Sequence, residues 1–307
     1  MSEIYISEGD KMVKQLSRFH PLSMLAFIVS VLAVVLVIND PVMLLVSLFI
    51  SLIYIFAFGG RTVFLRYILM TCICAAGVML INPLVSHRGI TVLFYLPDGN
   101  PLTLESVIYG AAAAVLISST VNWFYTVSIC FNSERIVYLF GRLSPRLALL
   151  LSLTLGFVPK LQRRLADIRA ARSVVKRDFT QGRPGERMKN AACIMSSLIG
   201  GALENSVDTA DSMTSRGYAS RRRTSFSPFR LYARDVVFIL TQLSCLAGIM
   251  YFYFSGKLDF SYYPTFSAAE LTLSCAAAYI LYAFMCSLPL IVCMKESIKW
   301  KFIRSGI

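Results

Sequence analysis

The chain has 307 residues, 56% of them hydrophobic and 15% charged, with a mean hydropathy of +0.65. Soluble domains run at roughly 45–50% apolar and about 25% charged; here the apolar excess lies in long uncharged runs, which excludes an ordinary water-soluble fold. The net charge of +13 accompanies no nucleic-acid-binding module, so it reports membrane topology and no nucleic-acid partner is expected.

The eight cysteines sit in apolar stretches and form no CxxC pair, so neither a disulfide framework nor a zinc or redox motif is indicated. They read as small hydrophobes.

A spanning helix needs about 20 predominantly apolar residues, with roughly 17 as the short limit. Lys11, Lys14 and Arg18 precede a first apolar run at 22–38. Asn39-Asp40-Pro41 follows it instead of a small-residue cleavage site, so the N-terminus is expected to be retained. That turn leads into a second run at 42–58, predicting a helical hairpin. Arg61 and Arg66 come before a third run at 67–82, where Asn82 and Pro83 read as breakers. A fourth covers 107–130, and Gly110 with Ala111 to Ala114 near its start would let another helix approach closely. The last two, 236–256 and 271–294, flank Lys257 and Asp259 and are followed by Lys295, Lys299, Lys301 and Arg304.

Six spans put every Lys/Arg-rich connection on one side, which the positive-inside rule makes the cytoplasm. The expectation is an all-α, multi-pass plasma-membrane protein with about six transmembrane helices and both termini cytoplasmic. It divides into an N-terminal membrane region of four spans (1–130), a cytoplasmic region (131–234) and a C-terminal membrane region of two spans (235–307).

Residues 160–234 hold 3 Lys and 13 Arg against 6 acidic residues, more than topology needs. The segment has helical period: Leu161, Leu165, Ile168, Ala171, Val175 and Phe179, then Met188, Ala191, Met195, Leu198 and Ala202, then Val207, Ala210 and Met213. Glu204, Asp208, Asp211 and Ser215 line the opposite side of the second helix, and residues 181–185 separate the two. Upstream, the apolar stretch 147–158 ends at Pro159 and is short enough to read as interfacial or re-entrant. The whole predicts long amphipathic helices along the cytoplasmic membrane face.

Near the end of the second helix, Ser215-Arg216-Gly217 pairs a guanidinium with a residue suited to the left-handed stop position. A good C-cap would explain that alone. Ala171-Arg172-Ser173, 44 positions earlier, repeats the arrangement on the other helix. Two Arg-bearing tips suggest a two-pronged docking device, because a planar guanidinium pairs well with a partner carboxylate.

An ordered set of segments now resembles a known family. Asn82-Pro83-Leu84-Val85-Ser86-His87-Arg88-Gly89-Ile90-Thr91, the stretches 101–110 and 144–153, Phe157-Val158-Pro159, Ala202-Leu203-Glu204 and 212–217 are similar to the transmembrane (T) component of energy-coupling factor transporters, the family that includes the cobalt permease CbiQ. The resemblance covers about 20–224. It implies that two Ala-Arg-Gly-type motifs ending long coupling helices dock on two ABC ATPase subunits, and that a separate substrate-binding (S) component completes the importer. Carried over, the docking residues are Ala171, Arg172 and Ser173, and Ser215, Arg216 and Gly217. Ser173 stands where the family has glycine, so that helix is expected to continue toward Lys176. Ser215 stands where it has alanine.

No GxxxxGK[ST] occurs, so ATP must be bound by another chain and no cofactor is expected. His20 and His87 are far apart without a cysteine or carboxylate cluster, so both read as structural and no metal site is indicated. Arg221, Arg222 and Arg223 suit anionic lipid head groups, or a partner. A non-catalytic subunit for vitamin or metal-ion uptake is the leading reading. The alternatives are a membrane enzyme acting on lipid or isoprenoid substrates, with Glu204, Asp208 and Asp211 as its candidate acids, and a permease with its own substrate path. A fluorescent protein fused after Ile307 is expected to fluoresce and alkaline phosphatase to stay inactive; the reverse pattern would overturn the orientation.

Overall fold

The computed structural model describes residues 19–86, 89–95, 101–174, 183–218, 229–258, 260–262 and 273–305. They form eight helices and one two-stranded hairpin: α1 (Pro21–Val37), α2 (Pro41–Val85), β1 (Val92–Tyr95), β2 (Pro101–Thr103), α3 (Leu104–Cys130), α4 (Ser133–Leu143), α5 (Pro145–Val174), α6 (Pro184–Ser215), α7 (Ala233–Phe254) and α8 (Leu273–Ser305). Two compact units emerge, one of Met1–Asn132 with Phe229–Ile307, the other of Ser133–Pro228.

In the first unit, α2, α3, α7 and α8 are long and apolar enough to cross a membrane, and α1 is a shorter apolar helix of 17 residues. At 1.5 Å per residue, the 45 residues of α2 would reach more than twice the roughly 30 Å of a hydrocarbon core. Gly60 resolves this, with φ 69° and ψ −178° inside the element. Along α3, Gly110 faces Asn82 and Ser118 bonds the Thr71 carbonyl, so the later half of α2 runs antiparallel to it. The earlier half runs parallel to α3, because Leu44 lies with Ala111 and Ala112, and Ser47 with Trp123. The chain therefore reverses at Gly60, in a positive-φ conformation open essentially to glycine alone and costing another residue about 1–3 kcal/mol. The second and third predicted spans are two passes of one interrupted helix, with Arg61 and Arg66 inside it and not in a loop.

The helix also runs through Pro83 to Val85, so Asn82-Pro83 is not the stop that the sequence suggested. Pro83 forfeits the bond to the Met79 carbonyl, but a proline can bend a helix without ending it. Beyond it, Thr91 donates its N–H and hydroxyl to the buried Glu105 (3.2 and 2.7 Å to Oε1), seating the hairpin on the first turn of α3. Gly89 has φ 138°, and a Cβ there would meet Thr103 and Glu105.

Hydrogen bonds between the passes close the unit. The Trp123 indole donates to Ser47 Oγ (2.8 Å), with Phe27 and Tyr54 packed against its ring. Asp40 caps α2 by accepting from Val42 N (2.8 Å) and also accepts from the Tyr279 hydroxyl (2.8 Å). Tyr262 donates to the Asn39 carbonyl; burial, then Asp40 and Tyr109 nearby, push its phenol up to about 12. At the start of α1, His20 caps the helix through Nδ1 and its backbone N–H reaches the buried Asp235 of α7 (3.4 Å).

Pro289 lies inside α8. A proline has no N–H for the carbonyl four residues back, here Met285, and hydrocarbon offers no water in its place. Gln242 Nε2 of α7 donates to that carbonyl (3.1 Å), and the Tyr54 hydroxyl donates to the adjacent Cys286 carbonyl (2.9 Å). Gln242→Leu is expected to cost about 1 kcal/mol, the scale of interhelical bonds in membranes. Detergent-solubilised protein should show the loss as a lower Tm. In a Pro289→Ala background the cost should nearly vanish, because the helix regains its own donor; an equal cost in both backgrounds would refute the pairing.

Candidate partner-docking site

The second unit is built on α5 and α6, of 30 and 32 residues. The stretch 147–158 is not a separate interfacial piece: α5 continues through Pro159 to Val174. A proline removes one ladder bond and bends a helix without always ending it. α6 starts with Pro184 in its first turn, where fixed φ and the missing N–H are tolerated. Glu186 accepts from the Arg183 backbone N–H (3.3 Å) and lies at the positive end of the helix dipole.

The two helices meet at Arg164 and Gly201. Arg164 Nη1 donates to the Gly201 carbonyl (3.1 Å), which also accepts from Asn205 Nδ2 (2.8 Å). A Cβ at Gly201 would collide with the guanidinium, so the missing side chain makes the close crossing. Periodicity located the packed faces in part: Leu161, Leu165, Ile168, Ala191, Leu198, Ala202 and Met213 are half-buried, whereas Ala171, Met188, Met195, Val207 and Ala210 are exposed. Yet α5 has no fully buried residue and α6 buries only Ile194 and Gly201. Met188, Leu203 and Val207 stay at least 60% exposed, far more than core positions of a self-sufficient helix pair.

The α6 tip is fully defined. Arg216 is the C-cap and Gly217 follows with φ 77°. Gly217 N–H bonds the Thr214 carbonyl (2.9 Å) and Tyr218 N–H the Met213 carbonyl (3.0 Å). These are the paired bonds of a Schellman motif, which satisfy orphan carbonyls and need a left-handed residue. Ser215, Arg216 and Gly217 are all exposed.

The α5 tip differs. Arg172 is half-buried in the last turn, and Ser173 stays helical, its hydroxyl donating to the Ala170 carbonyl (2.7 Å). Ala171 is exposed. Helix continues past Ser173 as the replacement of glycine suggests, although Lys176 lies outside the described residues. Neither Arg172 nor Arg216 makes a side-chain hydrogen bond or ion pair with the described residues. Each stands at a helix C-terminus, where the dipole favours a cation.

Arg221, Arg222, Arg223 and His87 lie outside the described residues. Glu204, Asp208 and Asp211 are exposed, and among the described residues no three His, Cys, Asp or Glu converge on a metal-sized point. Sequence reasoning missed Arg164 and Gly201; their only signal was a glycine pair, Gly200-Gly201, inside a helical pattern.

Comparison with known proteins follows the same segments. Residues 12–226 match the family described as cobalt transport protein, CbiQ. A stretch of 106 residues is 31% identical to the energy-coupling factor transporter transmembrane protein EcfT of Listeria innocua. That stretch is 34% of this chain and 40% of the relative, so the match spans less than half of either.

Gly217→Ala is expected to destabilise the α6 tip by about 1 kcal/mol and Gly217→Asn by less, because asparagine tolerates the left-handed region better. Faster amide exchange at Gly217 and Tyr218 in the alanine variant would register it. Equal exchange in all three proteins would contradict the cap.

Proposed function

The chain belongs to the CbiQ family of cobalt transport proteins, and from that premise we propose that it is the non-catalytic coupling subunit of an energy-coupling factor importer. Two ABC ATPase subunits dock on the C-terminal tips of α5 and α6, through Ala171, Arg172 and Ser173 and through Ser215, Arg216 and Gly217. ATP-driven movement of those tips passes along the helices to a separate membrane subunit that binds the vitamin or metal ion. The protein sits in the plasma membrane with both termini and the α4–α6 unit cytoplasmic, and Arg221, Arg222 and Arg223 meet lipid head groups or the partner.

The observation that carries the reading is the pair of arginines at two helix C-termini, neither engaged by the described residues. A guanidinium without an internal partner keeps its full set of donors for a carboxylate on another chain. The crossing supports transmission, because helices pinned at Arg164–Gly201 move as a pair and not as independent rods. The exposed apolar faces of α6 suit a partner more than water. The name of the Listeria relative, an energy-coupling factor transporter transmembrane protein, agrees with this role. Movement in this scheme is a population shift set by the partners, so the chain itself needs no nucleotide site.

Breaking one member of a desolvated interfacial charge pair costs roughly 2–5 kcal/mol. Arg172→Glu and Arg216→Glu are therefore each expected to weaken ATPase co-purification by at least tenfold, and together to abolish it. Retention of both ATPases by the double variant would sink the proposal. Substrate turnover by the isolated chain would favour an enzyme instead.

A further inference from the structure

A groove of about 610 Å³ runs along the α5–α6 crossing, within the roughly 300–1,000 Å³ typical of ligand sites. Its lining divides by chemistry. Leu153 and Phe157 of α5 and Ala202 and Met213 of α6 supply apolar surface, while Lys160 and Arg164 bring two cations from successive turns of α5. No lining residue is acidic; Asp167, Glu204, Asp208 and Asp211 on the same helices are not part of the wall. Lys160 has no hydrogen bond or ion pair with the described residues, and Arg164 uses one N–H on Gly201, leaving the remaining guanidinium donors.

We infer that this groove binds an anionic phospholipid, with the phosphate on Lys160 and Arg164 and an acyl chain along Leu153, Phe157 and Met213. An entirely apolar helix would fit the same walls by shape. It would also strip water from two unopposed cations, which is costly without a counter-charge. A ligand that brings its own anion next to a hydrocarbon chain meets both demands. Arg serves here as a forked phosphate ligand and Lys as a mobile point charge. The inference is independent of ATPase docking, because Arg172 and Arg216 lie outside the lining.

The test is native mass spectrometry of the full chain released from detergent containing either phosphatidylglycerol or phosphatidylcholine. Wild-type protein is expected to retain phosphatidylglycerol preferentially. Lys160→Gln leaves the α5–α6 crossing untouched and should weaken retention about fivefold, the factor for one cation near an anionic head group. Ala202→Phe fills the apolar part and should weaken it without changing charge. Excess inorganic phosphate should fail to displace the lipid, since it lacks the chain. Equal retention of the two lipids, no effect of Lys160→Gln, or displacement by phosphate would each overturn the inference. So would a photo-crosslinker at Ser206 that labels a co-purified polypeptide instead of lipid.

Discussion

A carbonyl that loses its helical donor inside hydrocarbon must find another within the protein. Pro289 creates that need in α8 at the Met285 carbonyl, Gln242 of α7 meets it, and Tyr54 of α2 bonds the neighbouring Cys286 carbonyl. The two bonds join three passes at one level. Tyr54 then packs against Trp123 and Phe27, and the Trp123 indole returns to Ser47 of the same pass that carries Tyr54. A helix irregularity has become the point where α1, α2, α3, α7 and α8 are held in register, although apolar side chains gain little from leaving lipid for one another.

The second unit is governed by a different economy of contact. Its helices cross where a glycine admits a guanidinium, and elsewhere they expose most of their apolar surface. Elements with few buried contacts are those that move most readily. The first unit is held by hydrogen bonds between its helices, whereas the long helices of the second are sparsely packed. The two tips are unequal: a Schellman motif stops α6 sharply at Gly217, whereas Ser173 lets α5 run on, so their guanidinia are presented in different local geometry.

Much of this was legible in the chain. Apolar runs of 16 residues or more, bounded by charge or by Asn-Asp-Pro, located the passes to within about six positions, because a membrane leaves little freedom in length. The three-and-four spacing located α5 and α6 and part of their packed faces, although Ala171, Met188, Met195, Val207 and Ala210 are exposed. Gly217 was readable as a stop because positive φ is a property of the residue itself. Proline was misleading at both Pro83 and Pro159, where helix continued, since what proline does depends on its position in the turn and on nearby donors.

What the sequence determined by itself is the solvent of each segment: hydrocarbon for the uncharged runs, an aqueous or interfacial setting for the basic block. Hydropathy and charge are sums over residues, so composition suffices. Partnership between distant side chains is not such a sum. Only the tertiary structure decided that Asp235 would lie buried against His20, that Gln242 would serve Pro289, that α2 would fold back at Gly60, and that Arg164 would rest on Gly201. Each depends on two segments meeting at one height and angle, which packing settles and local pattern does not record.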